Sequence, residues 1–394
     1  ILEKVSKAKK PVILAGTGIR LGNAYEEFLQ LIDKLGIPVV TAWNAHDLLW
    51  DEHPLYCGRP GTVGTRGGNF VVQNADLLLV LGCRMNIRQI SYNYHDFAKN
   101  AYKIVVDIDE AELRKPTVDV DLKVHADVKD MMKHVLGVSY AGASEEHRTW
   151  LAWARSINQK YPATLKSYYD KTSPINPYVF ITKLSEHLEE GDDVICGNGS
   201  ACVISFQAME IKKQQRLFTN SGCAAMGYGF PAALGVCVAR QGKRVICIDG
   251  DGSFQMNIQE LQTVVYNHLN MKLIILNNNG YHAIRQTQTN LFKGKPLVGV
   301  CDGNGLSFPN FEKIAYAYEI PYLRIDSLDH VDERLEQLLN SDGPILCEVV
   351  VDETQNFEPK LSSKVLPDGK IVSPPIDDMY PFLPKEEYEE NHRI

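Results

Sequence analysis

The chain has 394 residues, 44% of them hydrophobic, and a formal charge of −8 at pH 7. This composition is typical of a globular protein with buried cores, and it excludes a disordered chain. Because the charges form no long single-sign runs and no run of about 18 apolar residues is present, we expect neither nucleic acid nor a membrane as partner.

Short apolar runs alternate with amphipathic helical patterns along most of the chain. Four β-rich runs fall in the first half, at 11–15, 37–40, 77–81 and 104–108, with helical patterns such as 25–35 between them. Five more follow in the second half, at 194–196, 245–248, 273–276, 322–325 and 346–350. This alternation predicts an α/β protein with two doubly wound domains and largely parallel sheets.

A change of composition near residue 138 predicts a domain boundary, because Ser, Ala, Gly and Glu replace the apolar periodicity there. We expect a first domain at 1–137 with a dinucleotide-binding pattern, a linker with a helix at 138–172 and a second domain at 173–355. The tail, 356–394, is rich in Pro, Lys and Glu. We expect it to run over the surface or across an active-site mouth.

The run 244–253 predicts a buried strand that breaks into a Gly-Asp-Gly turn, followed by a helix at 257–266. The next buried strand ends in Asn-Asn-Asn-Gly, which puts Asn278 27 residues after Asp251. Two neighbouring parallel strands would bring this carboxylate and this amide to one edge of the sheet. Oxygen ligands of this kind suit Mg²⁺, which is usually shared with a phosphorylated ligand.

Glycines beside Asp251 favour the same interpretation. Gly250 and Gly252 allow the backbone to approach a diphosphate, and the following helix offers free amides. A lone Gly-Asp-Gly is more often a simple β-turn. Here, however, Asn278 follows the next strand at a distance that one crossover helix fits, and this combination favours a metal and phosphate site.

These segments resemble the thiamine-diphosphate enzymes, whose metal motif is Gly-Asp-Gly followed by Asn-Asn after some two dozen residues. The resemblance implies that Asp251, Asn278 and the carbonyl of Gly280 bind Mg²⁺. Residues 220–233 resemble the segment that holds the aminopyrimidine, which implies that Ala224 accepts from its amine and that Met226 bends the cofactor. The other residues implied to contact thiamine diphosphate are Gly197, Asn198, Gly199, Ser200, Gly222, Cys223, Gly250, Gly252, Ser253, Tyr281 and His282.

The first half resembles the middle domain of acetolactate synthases, which binds FAD. The residues implied to contact FAD are Gly16, Thr17, Gly18, Gly82, Arg84, Arg88, Asp107 and Asp127. Many thiamine enzymes keep this domain as a spacer without flavin, and that alternative stays open. The run Arg59-Pro60-Gly61 departs from the family, which usually has Met-His-Gly near the flavin.

The family's catalytic glutamate comes from an N-terminal domain presented by a partner subunit. Because the chain begins at Ile1 on a charged helical pattern, we expect that residues upstream have been lost and that this glutamate lies outside the chain. Glu260 is better interpreted as a structural residue of its helix. We therefore expect this polypeptide alone to be inactive, and the intact protein to be a homodimer or homotetramer.

The resemblance implies decarboxylation of a 2-oxo acid, most simply pyruvate, and carboligation to an acceptor carbonyl, as in branched-chain amino acid biosynthesis. Thr287 stands where acetolactate synthases carry a tryptophan, and His282 or Arg285 is a candidate for contact with a more polar acceptor. Alternatives are acetyl transfer to a keto-sugar, a simple 2-oxo acid or oxalyl-CoA decarboxylase, and a cofactor-binding fragment without activity. A dinucleotide dehydrogenase is disfavoured because Leu21 replaces the third glycine of its motif.

Nine cysteines lie scattered through apolar stretches without a zinc-binding or disulfide spacing. Such usage is typical of a reducing compartment. We expect the protein to be cytoplasmic.

Overall fold

The structure is a computed structural model that describes residues 1–292, 294–365 and 368–393. The chain divides into two compact units. Unit 1 comprises Ile1–Ala163 and Glu358–Ile394, and unit 2 comprises Thr164–Phe357. Each unit has a parallel sheet interleaved with helices, which confirms the predicted α/β class.

The sheet of unit 1 has five parallel strands in the order β2-β1-β3-β4-β5. The strands are β1 Pro11–Ala15, β2 Val39–Thr41, β3 Leu77–Leu81, β4 Tyr102–Asp107 and β5 Leu122–His125. Both β1 and β3 are buried along their whole length, as expected of strands covered by helices on both faces. The edge strand β5 was not predicted, because its side chains alternate between half-buried and exposed and form no apolar run.

Helices cover this sheet through their apolar faces. In α3, Tyr25–Leu35, the buried residues Phe28, Leu31, Ile32 and Leu35 repeat at helical spacing, and Gly36 ends the helix in the left-handed region. The other α-helices are α1 Leu2–Lys7, α2 Gly18–Leu21, α4 Arg66–Gln73, α5 Ile87–Ile90, α6 Glu110–Arg114, α7 Val128–Gly137 and α8 Glu145–Lys160, with short 3₁₀ turns at His46–Leu48 and Tyr94–Asp96.

The sheet of unit 2 has six parallel strands in the order β10-β11-β9-β8-β6-β7. The strands are β6 Asp193–Cys196, β7 Arg216–Phe218, β8 Val245–Gly250, β9 Met271–Asn277, β10 Tyr322–Ile325 and β11 Ile345–Val350. The α-helices are α9 Pro177–His187, α10 Ser200–Ala208, α11 Gly229–Arg240, α12 Asp251–Phe254, α13 Leu261–Tyr266, α14 His282–Leu291, α15 Phe311–Ala317 and α16 Val331–Leu339, with 3₁₀ turns at Lys166–Tyr169, Gln255–Glu260 and Leu328–His330.

The predicted single helix at 257–266 is wrong in its first half. Asn257 leaves helical geometry, with φ −136°, inside the 3₁₀ segment Gln255–Glu260, and the α-helix begins only at Leu261. The cause is local, because the Asn257 side chain donates to the Gly227 carbonyl at 2.6 Å. Glu260 accepts a hydrogen bond from Thr263, in agreement with a structural role.

The C-terminal segment packs within unit 1. It contains the antiparallel pair β12 Lys364–Val365 and β13 Ile371–Val372, and the helix α17 Lys385–Glu390. Asn69 donates to the Ile376 carbonyl at 2.9 Å, and Arg66 donates to the Pro381 carbonyl at 2.6 Å. Among the helices of the described residues, none is both long enough and apolar enough to cross a membrane.

Candidate cofactor site

Three loops meet at the carboxyl edge of the unit 2 sheet, because β6, β8 and β9 are adjacent and parallel. The loop after β6 leads into α10, the turn after β8 into α12, and the loop after β9 into α14. The strand order reverses at β6, since β7 lies on one side of it and β8 on the other. Ligands of open α/β sheets bind at such an edge, near such a reversal.

Asp251 links the β8 and β9 loops. Its side chain is buried, with Oδ1 accepting from the Gly252 amide at 2.7 Å and Oδ2 from the Gly280 amide at 3.1 Å. Burial raises the pKa of this carboxyl to about 7, although the amides of Gly280, Gly252 and Asn278 partly oppose the shift. A cation bound next to this carboxyl would stabilise its ionised form.

Asn278 supplies a second oxygen at the same place. The residue is 6% exposed, and its Nδ2 donates to the Ser200 hydroxyl at 3.3 Å. Its Oδ1 is buried and receives no hydrogen bond from any described residue. A buried acceptor without a donor requires an explanation, and an oxygen-binding cation beside Asp251 provides one.

The glycines around Asp251 differ in their surroundings. A Cβ on Gly250 would meet nothing within 4 Å, so the backbone is open to a ligand there. A Cβ on Gly252 would lie 2.1 Å from Cε1 of Tyr281, whose ring covers this residue. Because α12 has only four residues, amides of the turn rather than the dipole of a long helix would face a diphosphate.

Asp249, which the sequence did not indicate, packs between the β6 and β8 exits. It is fully buried, and a Cβ on Gly197 would lie 2.0 Å from its Oδ1. A Cβ on Gly229 would lie 2.6 Å from the Gly197 amide nitrogen. Both glycines therefore permit close packing within the fold, whereas Gly199, with φ +61°, lies in open space.

The loop proposed to hold the aminopyrimidine is tied down on two sides. Ala224 adopts φ +50°, and its carbonyl accepts from Asn198 Nδ2 at 3.1 Å. The Gly227 amide donates to the Ser253 hydroxyl at 2.9 Å, and the Gly227 carbonyl accepts from Asn257. Met226 is half-buried, while Gly222 and Cys223 are exposed at the tip of the loop.

The start of α14 also lies beside this edge. His282 is buried, with its ring edge-on to Phe357 at 5.0 Å between centroids. Thr287 is exposed. The suggestion that Arg285 contacts an acceptor is not supported, because its side chain is 13% exposed and donates to the Asn278 and Asn279 carbonyls.

In unit 1, the proposed flavin-binding glycines lie at the carboxyl ends of β1 and β3, where the strand order reverses. A Cβ on Gly16 would lie 2.3 Å from the Gly82 carbonyl oxygen, and a Cβ on Gly18 would lie 2.7 Å from the Gly82 Cα. The packing of these two loops on each other therefore accounts for the glycines without a ligand. Thr17 forms the N-cap of α2 between them.

The polar residues proposed for FAD divide into two kinds. Asp127 caps α7 by accepting from the Lys129 and Asp130 amides, and Asp107 accepts from the Asp109 amide at 2.9 Å. The arginines instead extend into solvent: the Arg84 side chain is 65% exposed and Arg88 is exposed. The arginines are thus accessible to an anionic ligand.

Arg59, the first residue of the departure from the flavin motif, points into the core. It is 2% exposed, forms an ion pair with Asp51 at 2.7 Å and donates to the Tyr56 hydroxyl at 2.9 Å. Its role in this structure is to stabilise the loop after β2.

Comparison with known proteins agrees with this geometry. The family described as "Thiamine pyrophosphate enzyme, central domain" matches residues 1–135, and "Thiamine pyrophosphate enzyme, C-terminal TPP binding domain" matches residues 197–349. A "Probable acetolactate synthase large subunit" of Methanocaldococcus jannaschii is 31% identical over 400 residues, covering 99% of this chain and 65% of the relative. The corresponding protein of Methanococcus aeolicus is 31% identical, covering 94% and 62%.

The "Acetolactate synthase large subunit" of Lactococcus lactis is 29% identical over 371 residues, covering 94% of this chain and 62% of that protein. The chain thus spans less than two thirds of the length of these relatives.

Proposed function

The chain belongs to the thiamine pyrophosphate enzymes, and we propose that it binds thiamine diphosphate with Mg²⁺ at the carboxyl edge of the unit 2 sheet. Two observations carry this proposal: the buried Asp251 carboxylate accepts from the Gly280 amide of the loop after β9, and Asn278 Oδ1 in the same loop is buried without a donor among the described residues. Both side chains are ligands that Mg²⁺ prefers. The Gly280 carbonyl would be the third protein ligand.

When bound, thiamine diphosphate supplies the electron sink for breaking the carbon–carbon bond next to the carbonyl of a 2-oxo acid. The chain's own residues would position it. Gly250, Gly252 and Ser253 would contact the diphosphate, and the Ala224 carbonyl would accept from the aminopyrimidine. Met226 would provide the apolar surface over which the cofactor bends.

A thermal-shift measurement tests this binding. Thiamine diphosphate with Mg²⁺ should raise the melting temperature, and the same cofactor with EDTA should not, because binding to the folded state alone stabilises it. Equal shifts with and without EDTA would contradict a metal-dependent site.

We propose that the substrate is a 2-oxo acid, most simply pyruvate, and that the reaction is decarboxylation with carboligation to an acceptor carbonyl. The names of the relatives support this. Product analysis with pyruvate distinguishes acetolactate from acetaldehyde, and acetaldehyde alone would favour a simple decarboxylase. Oxalyl-CoA turnover would favour the oxalyl-CoA alternative, and cofactor binding without any turnover would favour a non-catalytic role.

A second candidate is acetyl transfer to a keto-sugar. It is favoured by the exposed Thr287 on α14, since a small side chain there leaves room for a larger acceptor than a tryptophan would. Pyruvate turnover in the presence of a nucleotide-linked keto-sugar, compared with pyruvate alone, separates the two acceptors.

FAD remains a proposal for unit 1. The exposed Arg84 and Arg88 at the strand reversal support it, whereas the glycines and Asp127 have structural roles that need no ligand. An absorbance spectrum of the purified protein tests it, because bound oxidised flavin absorbs blue light and a spacer domain without flavin does not.

Assembly and location are proposals as well. We propose a homodimer or homotetramer, testable by sedimentation, and a catalytic glutamate supplied from outside these 394 residues, testable by assaying the chain alone. A cytoplasmic location is supported by the nine free thiols, seven of them on buried cysteines.

A further inference from the structure

Arg285 contacts the loop that carries two of the proposed metal ligands. Its Nη1 donates to the Asn278 carbonyl at 3.0 Å, and its Nη2 donates to the Asn279 carbonyl at 2.8 Å. The guanidinium therefore spans two successive carbonyls. The planar fork of arginine suits this geometry, which the single ammonium of lysine does not reproduce.

The same side chain also reaches the exit of β11. Nη1 donates to the Glu353 carbonyl at 3.3 Å, and Nη2 lies 3.3 Å from Glu353 Oε2. Strand β11 neighbours β9, and the Val351 amide donates to the Asn277 carbonyl at 3.0 Å. Arg285 thus ties the loop to an adjacent strand that is itself fixed in the sheet.

The loop changes direction at a left-handed residue. Asn279 adopts φ +52°, a conformation that asparagine tolerates better than most residues. The Asn279 amide donates to Asn277 Oδ1 at 3.0 Å, and the Asn279 side chain is exposed. A Cβ on Gly280 would lie 2.3 Å from the Val300 carbonyl oxygen and 2.6 Å from Arg285 Nη2, so the absence of a side chain lets both groups lie against the turn.

The charge of Arg285 argues that its role is geometric. A cation beside a site for another cation weakens binding through repulsion, unless a neighbour such as Glu353 offsets it. Any increase in metal affinity due to Arg285 must then come from the conformation that it gives the loop. We propose that Arg285 is a positioning residue that holds the Asn278–Gly280 backbone in the arrangement that binds the metal, an inference that rests on the Mg²⁺ site proposed above.

The test compares wild type, R285M and R285K by isothermal titration calorimetry. Mg²⁺ is titrated into the full chain in the presence of saturating thiamine diphosphate. Groups that orient metal ligands typically change metal affinity about 10–100-fold when they are mutated. We expect R285M and R285K to weaken Mg²⁺ binding by about tenfold or more. A matched control is R334M on α16, where the arginine contacts Gln337 and not the loop.

A purely electrostatic role predicts the opposite sign, because R285M removes a positive charge and would tighten Mg²⁺ binding. R285K keeps the positive charge but lacks the planar guanidinium, so it distinguishes the effect of side-chain geometry from the effect of charge. It also provides a second test if R285M fails to fold. Mg²⁺ demands near-octahedral geometry whereas Ca²⁺ is tolerant, so the loss should be larger for Mg²⁺ than for Ca²⁺. General destabilisation would not change that ratio.

Unchanged or tighter Mg²⁺ binding in R285M and R285K, or equal losses for both metals, would overturn the role of Arg285 while leaving the proposed function intact. Absence of metal-dependent cofactor binding in wild type would overturn the proposed function itself, and this inference with it.

Discussion

The packing of Gly197 on Asp249 predicts a large effect from a single added methyl group. In G197A the new Cβ would lie 2.0 Å from Asp249 Oδ1 and 2.6 Å from its Cγ. Both residues are buried, so the carboxylate has to move and its hydrogen bond from the Gly250 amide, 2.9 Å long, is disturbed. Overpacking costs about 1–3 kcal/mol and a lost hydrogen bond about 1 kcal/mol.

We therefore expect G197A to lower the free energy of unfolding by about 2–4 kcal/mol, measured by urea denaturation followed by far-UV circular dichroism. The matched control is G235A in α11, where a Cβ meets nothing within 4 Å and alanine should be neutral or stabilising by up to about 1 kcal/mol.

A double mutant isolates the contact. Because D249A removes the atoms that the new methyl group meets, G197A should cost less in that background than in wild type, by about 0.5–3 kcal/mol of coupling. Wild-type stability in G197A, or strictly additive effects in the double mutant, would refute the packing described for these two strand exits.

Three further predictions concern residues away from this contact. Burial lowers the pKa of the Lys272 ammonium to about 8, so between pH 8 and 10.5 the unfolded chain binds more protons than the folded chain. The free energy of unfolding of wild type should therefore rise relative to that of K272M, by up to about 2 kcal/mol across that range, as denaturation at several pH values would reveal. The Asp51 side chain is 27% exposed, so breaking its pair with the buried Arg59 in R59M should cost about 1.5–3 kcal/mol, and R59M with D51N should recover part of it; an R59M protein as stable as wild type would be inconsistent with the pair. Asn69 donates to the Ile376 and Gly61 carbonyls, so N69A should increase hydrogen exchange in residues 376–381, and unchanged exchange would count against this tether.

The sequence predicted the fold where the strands are buried on both faces. The runs at 11–15 and 77–81 coincide with β1 and β3. It missed β5 and β7 for a physical reason: both are edge strands whose side chains are mostly half-buried or exposed, so neither forms a continuous apolar run. An edge strand is fixed by pairing with its neighbour rather than by its own apolar pattern.

The meeting of the Asp251 and Asn278 loops was also predictable, because adjacent parallel strands carry their carboxyl ends to one edge. The supports of these loops were not predictable. Arg285, Asp249 and Asn257 act through backbone groups brought near them by folding, so their residue types and spacing carry no signal. The domain boundaries and the roles of the site residues stay predictions.

The most direct test of the proposed metal site compares two adjacent amides. Asn278 is buried with an oxygen that lacks a donor in the described structure, while the Asn279 side chain is exposed. Calorimetric titration of thiamine diphosphate in the presence of Mg²⁺ should show N278A binding at least about tenfold more weakly than wild type, a loss of ~1.4 kcal/mol or more. The control N279G removes the exposed amide but keeps the left-handed backbone at this position, and it should bind close to wild type. Equal affinity for N278A and wild type would contradict the site.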